Sequence, residues 1–510
     1  MWKVKLGSDR RGKWRLQTFR RVQSEEDMAS KLSETGIAAV TVLASGLCLF
    51  FGTGLHPVWW LTWIAPIPVL IAAARLTRGW TFATAFAASA VGGLNMWNYF
   101  HVALEIPLIP VILFMAGPSL VFACIVLVYR RFLRIAAWQA ALIFPTLWVT
   151  YEFVSSRLSP HSTFGNISYS QMNFVPVLQI ASVTGIWGIS FCLFLFAATV
   201  AVLLSGDRVR GARRWLVIVT LVWLALVIGF GRWRLLSHDP TQNTVLVGMV
   251  ASDLPQNLIT VKPEETIRLM RSYVDQALAL AAQGAKIIVI PEKVAVLLDS
   301  ELPEVDAMLR EAAQKSGAEI VVGVIHPTSG AKWNEARLYT PNGAIRTYEK
   351  HHMLPSFESN LTAGTERTEW DESSGHWGME ICKDMDFPRL SREYGSDGTE
   401  LLIVPEWDFV ADGWLHGRMA ILRGVESGFT IVRAPKQGIM TVTDDTGRVL
   451  AQRRTGAEPF TTLIAAAPVQ HSTTIYARFG DWFAWLNVAT AVWLIVKATV
   501  RRREKTVRTI

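Results

Sequence analysis

Apolar residues gather into eight long runs along the chain, at about 37–54, 57–75, 80–103, 106–129, 134–154, 178–204, 214–231 and 480–499. A helix needs roughly 20 apolar residues to cross a bilayer core. Each run therefore predicts a membrane span, the eighth weaker than the others. Between the seventh and eighth runs, residues 235–479 have the composition of a soluble domain. Val245–Val250 reads as a buried strand. Over 263–283, Ile267, Met270, Val274, Ala277 and Leu280 fall on one helical stripe. A strand at 286–290, a helix at 303–316 and a strand at 319–324 follow. Pro341-Asn342-Gly343 and Asp444-Asp445-Thr446-Gly447 each sit between short strands and predict hairpins. Strands at 376–381, 400–404 and 430–434, with a helix at 412–428, complete the pattern. Strands and helices that alternate, with hairpins interspersed, predict a mixed α/β sandwich. The chain divides into a basic tail (1–36), seven spans (37–234), a soluble domain (235–479) and an eighth span with a basic tail (480–510).

Charge orients this arrangement. Lys and Arg crowd the loops that stay cytoplasmic. They occur in the N-terminal tail, at Arg75 and Arg78, at Arg130, Arg131 and Arg134, from Arg208 through Arg214, and at Arg501-Arg502-Arg503. The alternate loops, near 55, near 105 and over 155–177, hold only Arg157. Both termini are expected in the cytoplasm and the 235–479 domain outside. The first run lies too far from the N-terminus for a cleaved signal peptide, and six more spans follow it. The net charge of +8 is this bias and no nucleic-acid footprint. Trp59, Trp60, Trp80, Trp215, Trp233, Trp482 and Trp485 fall at span ends, where indoles anchor at the interface. Cys48, Cys124 and Cys192 lie inside spans, which leaves Cys382 without a partner in the soluble domain.

Cys382 is the candidate nucleophile, because a thiolate attacks carbonyl carbon. Glu292 closes an apolar strand, Ile287-Ile288-Val289-Ile290-Pro291-Glu292, and can take the thiol proton. Lys350 opens Lys350-His351-His352-Met353-Leu354-Pro355 and can hold a developing oxyanion. His351 and His352 are adjacent, so in extended chain they face opposite ways and make poor joint metal ligands. No zinc pattern, phosphate loop or dinucleotide glycine pattern occurs, so neither metal nor cofactor is expected.

These segments resemble the nitrilase, or carbon–nitrogen hydrolase, superfamily, in its Glu, Lys-His-His and Cys-x-Asp-x-x-Phe-Pro contexts. The whole of about 37–500 resembles the apolipoprotein N-acyltransferase family. Ser168-Tyr169-Ser170-Gln171, Gly185 through Phe191, Arg423 through Gly428, Arg433-Ala434 and Gly438 match that branch. The resemblance implies a four-layer αββα sandwich outside a bacterial cytoplasmic membrane, with an eight-span bundle, acting as a monomer. It implies a triad of Glu292, Lys350 and Cys382, with Glu358 positioning it eight residues after Lys350. Cys382 would take an acyl group from a membrane phospholipid, with Lys350 and amides near Lys383 on the oxyanion. The N-terminal amine of a diacylglyceryl-cysteine lipoprotein would then remove it.

Some positions depart from the family. Cys382 is followed by Lys383 and Asp384 where the family has Tyr and Glu, a context closer to soluble amidases. The loop after Lys350 reads Pro355-Ser356-Phe357-Glu358, within a candidate mobile loop, Ser356–Glu369. The strand at 400–404 leads into Pro405-Glu406-Trp407-Asp408-Phe409, where the family has Asn-Asp and an aromatic. Lys383 is expected either to bear on the thiol or bind an anion, or to be a surface lysine. The departures leave open a different amine acceptor, a membrane-anchored amidase, or a silent relative. Asn95, Asn98, His101 and Glu105 are expected at the outer end of the third span, as a lipid entrance or as helix capping.

Overall fold

A computed structural model describes residues 33–205, 210–238 and 243–507. The basic stretch before residue 33, Arg208 and residues 508–510 lie outside the described residues. The first half folds into helices α1 (Ser33–Gly52), α2 (Leu61–Ile64), α3 (Pro66–Arg75), α4 (Arg78–Gly93), α5 (Leu108–Leu133), α6 (Ala137–Leu158), α7 (Val175–Leu178), α8 (Ala181–Thr184), α9 (Ile186–Leu204) and α10 (Arg210–Ser237).

Among the described residues, five helices are long and apolar enough to cross a membrane: Ser33–Gly52, Leu108–Leu133, Ile186–Leu204, Arg214–Ser237 and Trp482–Arg501. The remaining apolar runs are shorter, broken or mixed in character. The second is Leu61–Arg75, with Pro66 opening its longer piece. In the third, α4 passes into a 3₁₀ turn, Leu94–Met96, and a π-helix, Asn98–Ala103. The fifth is α6, which has 22 residues but buries Gln139, Thr146 and Glu152. The sixth run, already counted through Ile186–Leu204, begins its long helix only after Gly185, whose φ is +66°; a Cβ there would lie 2.5 Å from the Tyr476 ring. The helices pack around Val69, Phe122, Tyr129, Phe144, Phe194 and Leu494. Their outer faces leave Ile109, Leu113, Val219, Leu226 and Val496 exposed, an apolar surface too large for a water-soluble protein to leave bare.

Among its described residues, the segment between the seventh and eighth apolar runs contains thirteen strands: β1 (Thr244–Ala251), β2 (Ile287–Val289), β3 (Ala295–Val296), β4 (Glu319–Pro327), β5 (Lys332–Tyr339), β6 (Ile345–Glu349), β7 (Thr368–Glu372), β8 (Gly375–Met379), β9 (Leu401–Trp407), β10 (Thr430–Lys436), β11 (Ile439–Thr443), β12 (Val449–Arg454) and β13 (Thr461–Pro468). One sheet runs β13-β1-β2-β4-β5-β6, with β3 beside β4, and the other runs β12-β11-β10-β9-β8-β7. Each has parallel strands at its centre, β1-β2-β4 and β10-β9-β8, and antiparallel strands at its edges. Alternate residues explain the layering, because side chains along a strand point to opposite faces. Val247, Met249, Ile287 and Val289 meet Met379, Ile381, Leu401 and Ile403 between the sheets. Val250, Ile288 and Ile320 face outward onto α11 (Pro263–Ala282) and α12 (Leu302–Ser316). Leu402, Val404 and Ile431 face α13 (Pro388–Asp397) and α14 (Gly413–Ser427). The order is helix, sheet, sheet, helix. β7, β13 and α13 are elements that the sequence pattern does not flag, whereas both hairpins form where their turn residues place them, as β5-β6 and β11-β12.

Helix α14 has a second partner. Leu415, Met419, Ile421, Leu422 and Val425 pack against Tyr169, Ile186 and Trp187 of the membrane region. That double burial explains an almost wholly buried helix containing Arg423 and Glu426. Glu426 accepts the Ile186 N–H at 2.6 Å, capping α9, and pairs with Arg423 at 2.9 Å. A carboxylate suits a helix N-terminus, where N–H groups lack intrahelical partners. Arg234 donates to Gln179 at 2.7 Å and to the Asp445 carbonyl at 3.2 Å, fastening α10 to the β11–β12 turn. After β13, α15 (Ile475–Phe479) and α16 (Trp482–Val507) return the chain to the apolar bundle.

Candidate active site

Three strand ends bring the chemistry together. Glu292 follows β2, Lys350 follows β6, and Cys382 opens a 3₁₀ turn, Cys382–Asp386, after β8. Glu292 and Lys350 are buried and Cys382 is half-buried. Cys382 has φ of +48°, a left-handed conformation that costs a non-glycine residue about 1–3 kcal/mol and is held only by its surroundings. Those surroundings are Asp384, whose carboxylate accepts from the N–H groups of Ile381, His351 and His352 and from the Tyr348 hydroxyl. Asp384 thus clamps the Lys350 segment to the cysteine turn. His352 also bonds Asp384 through Nδ1 at 2.9 Å and stacks on Phe387 at 3.6 Å.

Lys350 Nζ donates to Glu292 Oε1 at 2.8 Å and to both oxygens of Glu358, at 3.1 and 2.9 Å. Asn334 Nδ2 donates to the same two carboxylates, at 2.7 and 3.1 Å. Lys293 (φ +52°) pairs with Glu358 and lies 3.6 Å from Glu292 Oε1. Two carboxylates and two ammoniums therefore balance in a buried cluster. Burial opposes the charge on Lys350, but Glu292, Cys382 and Glu358 outweigh it and hold the ammonium well above its usual range. Burial likewise opposes the charge on Glu358, yet Lys350 and Lys293 hold its carboxyl down at about 2.

Glu292 Oε1 is saturated by Lys350 and Asn334, while Oε2 is buried with no hydrogen-bond partner. An orphaned buried acceptor is costly and calls for an explanation; here it is an acceptor free to receive a proton. Burial and then Glu292 push the Cys382 thiol well above its usual range, opposed by Lys350 and Lys293. The resting sulfur is therefore a thiol, and its proton needs an acceptor close by. Gly323 on β4 makes room for that acceptor, since a Cβ at 323 would lie 2.4 Å from Glu292 Cα.

Lys383 is neither on the surface nor turned to the sulfur. It is buried, pairs with Asp386 at 3.0 Å and lies 3.4 Å from His161 Nδ1 of the membrane region. The cations that lower Cys382 are Lys350 and Lys293. Asn95 donates to the Phe50 carbonyl at 2.9 Å and His101 contacts the Ile106 carbonyl at 3.0 Å, so both cap nearby backbone. No local sequence pattern marks Asn334, Lys293 or Lys436 for the site, although Lys293 directly follows Glu292. Lys436 Nζ donates to the Lys293 carbonyl at 2.9 Å and sits 3.6 Å above the Trp407 ring. It pins the turn that carries Glu292.

Beyond Trp407, the donor atoms of Asp408, Asp412 and His416 lie within 4.8 Å of one another. Arg433 already holds Asp408 Oδ1 at 2.5 Å, and the Tyr99 hydroxyl donates to Asp412 at 2.5 Å. Burial works against the charge on His416, but Asp412 and Asp408 raise it to about 9. A protonated imidazole and a guanidinium balance the two carboxylates, so the cluster is an ion-pair network rather than a cation site.

Two family models match the chain: the apolipoprotein N-acyltransferase N-terminal domain over residues 45–199, and carbon–nitrogen hydrolase over residues 249–475. An apolipoprotein N-acyltransferase of Geobacter metallireducens is 26% identical over 500 residues, covering 89% of this chain and 93% of that protein. One of Shewanella oneidensis is 24% identical, covering 68% of this chain and 71% of that protein. An amidase from Nesterenkonia sp. AN1 aligns in structure with a TM-score of 0.40 and 17% identity, covering 49% of this chain and 99% of that one. With both halves matched in order and relatives alike along most of their length, the chain is similar to apolipoprotein N-acyltransferases throughout and to carbon–nitrogen hydrolases over residues 249–475.

Proposed function

We propose that this protein moves a fatty acyl group from a membrane phospholipid to the N-terminal amine of a diacylglyceryl-cysteine lipoprotein, through a thioester on Cys382. The observation that carries this reading is the free Oε2 of Glu292, buried in a site that couples to the Cys382 sulfur. Glu292 takes the thiol proton as sulfur attacks the ester carbonyl. Lys350, with main-chain N–H groups at Lys383, receives the charge that develops on the carbonyl oxygen. The ester C–O bond breaks, and the proton on Glu292 goes to the departing lysophospholipid oxygen. In the second half the amine attacks the thioester, its proton goes to Glu292, and the C–S bond breaks to return Cys382. Glu358 and Asn334 hold Lys350 and Glu292 in place throughout. Asp384 keeps the two loops in register, and Lys383 ties the cysteine turn to the membrane region through His161. No cofactor or metal is needed.

The setting suits lipid substrates. The domain is docked on apolar helices through α14, so both lipid substrates reach one site by diffusion in the membrane plane. Proximity of this kind replaces a costly bimolecular encounter. We read the five long apolar helices with Leu61–Arg75, Arg78–Ala103 and Ala137–Leu158 as the eight spans. In this orientation both termini are cytoplasmic, the 235–479 domain is extracytoplasmic, and a monomer suffices.

The test is intact mass after incubation with phospholipid in detergent, for wild type and Cys382→Ala. A hydroxylamine-sensitive acyl adduct on the wild type alone is expected, and it should vanish when a diacylglyceryl peptide is added. An adduct that disappears in water without amine would favour a membrane-anchored hydrolase. No adduct, with no lysophospholipid released, would overturn phospholipid as donor. An adduct that a diacylglyceryl peptide leaves intact would overturn that acceptor.

A further inference from the structure

Helix α14 carries a cation that the fold leaves without an anion. Trp414 and Arg418 stand four residues apart on it, so their side chains share one face. The guanidinium carbon of Arg418 lies 5.2 Å from the centre of the Trp414 ring. Arg418 is half-buried, yet among the described residues no hydrogen bond or ion pair reaches it. Other guanidiniums buried in this domain are matched: Arg423 by Glu426, Arg433 by Glu406 and Asp408, and Arg337 by Glu335 and Asp306. The carboxylates nearest in sequence, Asp408 and Asp412, are already held by Arg433, His416 and Tyr99. Burial pulls Arg418 below its usual range, and no neighbouring charge opposes it.

A guanidinium does not give up its proton inside a protein. Removing part of its hydration without supplying an acceptor is costly, so the acceptor comes from outside the chain. Set over an indole, a guanidinium keeps its rim of N–H donors for such a partner. The surroundings say which partner. Trp414 packs, with Leu55, on the cluster that joins α14 to the membrane region. His56 approaches the same indole, the two rings 6.1 Å apart. Leu55 and His56 belong to the turn between α1 and α2, which runs on into Trp59 and Trp60. Around that turn Phe51, Val58 and Trp60 are exposed. Exposed apolar side chains beside indoles mark the depth at which a helical bundle leaves the hydrocarbon and meets the headgroups. The abundant anion at that depth is the lipid phosphate, whose oxygens match the planar fork of arginine two at a time.

We propose that Arg418 and Trp414, with His56 across the seam, hold the phosphate group of a membrane phospholipid at the outer face of the bilayer. This rests on reading the apolar helices as spans with residues 235–479 outside, and not on the chemistry at Cys382. Arg418 supplies the charge and the paired donors, Trp414 the flat surface that orients them, and His56 a further donor from the α1–α2 turn. A lipid held there bridges α14 and the membrane region at the rim of their contact.

The experiment measures binding to the full-length protein carrying Cys382→Ala, so that no acyl group is taken, stripped of lipid in dodecyl maltoside. Its thermal midpoint is followed as phosphatidylglycerol, diacylglycerol or inorganic phosphate is added, and again with Arg418→Gln or Arg418→Lys present. Phosphatidylglycerol is expected to stabilise the parent, with an apparent affinity that Arg418→Gln lowers about tenfold, the loss of a charge-assisted pair. Arg418→Lys, which keeps the charge without the fork, should fall between the two. Diacylglycerol, which lacks the phosphate, should stabilise the parent and Arg418→Gln alike. Equal phosphatidylglycerol affinities for those two proteins would overturn the proposal. An equal loss for diacylglycerol would overturn the phosphate as the group held. Inorganic phosphate that stabilises as well as the lipid would overturn the lipid as its source. If Arg418→Gln does not fold, an Arg418→Lys affinity equal to the parent's overturns the proposal instead. A failure of phospholipid as acyl donor leaves each of these outcomes unchanged.

Discussion

Replacing Glu292 with Gln should separate two properties that usually fall together, catalytic turnover and cysteine reactivity. Glu292 Oε1 is held by Lys350 and Asn334, and both can still be met by an amide oxygen. The variant therefore keeps its packing but loses the proton acceptor at Oε2 and one negative charge. Loss of a general base costs about 10²–10⁴-fold in rate, so the acyl adduct on Cys382 should form at least about a hundred times more slowly. The charge works in the other direction. After burial, Glu292 is the largest influence raising the thiol, opposed by Lys350 and Lys293. A unit charge at close range is worth a few kcal/mol at an effective dielectric near 20, or about 1–2 pH units after partial screening. Removing it leaves two ammoniums against the single carboxylate of Glu358, so the alkylation midpoint of Cys382 should fall by about that amount. The assay pairs intact mass with phospholipid against iodoacetamide labelling across pH. The expected result is a sulfur that alkylates more readily and acylates far more slowly. An unchanged or raised alkylation midpoint would refute the electrostatic reasoning; undiminished acylation would refute Glu292 as the base.

Gly323→Ala should disable the site from the opposite strand: its Cβ would meet Glu292 Cα at 2.4 Å and the Pro291 carbonyl at 2.6 Å, contacts that only backbone movement relieves. Acylation should drop at least about tenfold, because small misplacements of catalytic groups are expensive, and normal acylation by a folded variant would count against it. The Glu358 ion pairs carry a pH signature. Its carboxyl, held at about 2, compares with about 4.3 when unfolded, so the pairs stabilise the fold fully above the unfolded value and lose that contribution as pH falls through the folded one. The stability gap between wild type and Glu358→Gln should therefore stay constant above about pH 5 and shrink by about 3 kcal/mol toward pH 2; thermal midpoints that track each other down the whole range would contradict this.

Local pattern carried much of this architecture. The apolar runs, the turn residues Asn342-Gly343 and Asp444 to Gly447, and the alternation along Ile287–Ile290 each depend on neighbours in the chain, and all are legible there. The triad candidates were legible for a related reason, since each sits where a strand ends and its residue type limits the chemistry. Other features depend on partners distant in sequence. The helix break at Gly185 follows from packing, as the approach of Tyr476 illustrates. The burial of α14 on two faces required the membrane region to dock against it. By sequence Lys383 could bear on the thiol, bind an anion or lie on the surface; the tertiary fold buries it against Asp386 and His161.

The sequence by itself determined that Glu292, Lys350 and Cys382 stand at strand ends of a soluble domain between apolar runs, because strand and turn propensities are local. Only the tertiary structure decided which oxygen of Glu292 is free, that Lys293 and Asn334 join the site, and that Glu406 shares Arg433 with Asp408. Those outcomes are set by burial and by charges brought together across two sheets, and neither is encoded in the spacing of residues along a chain.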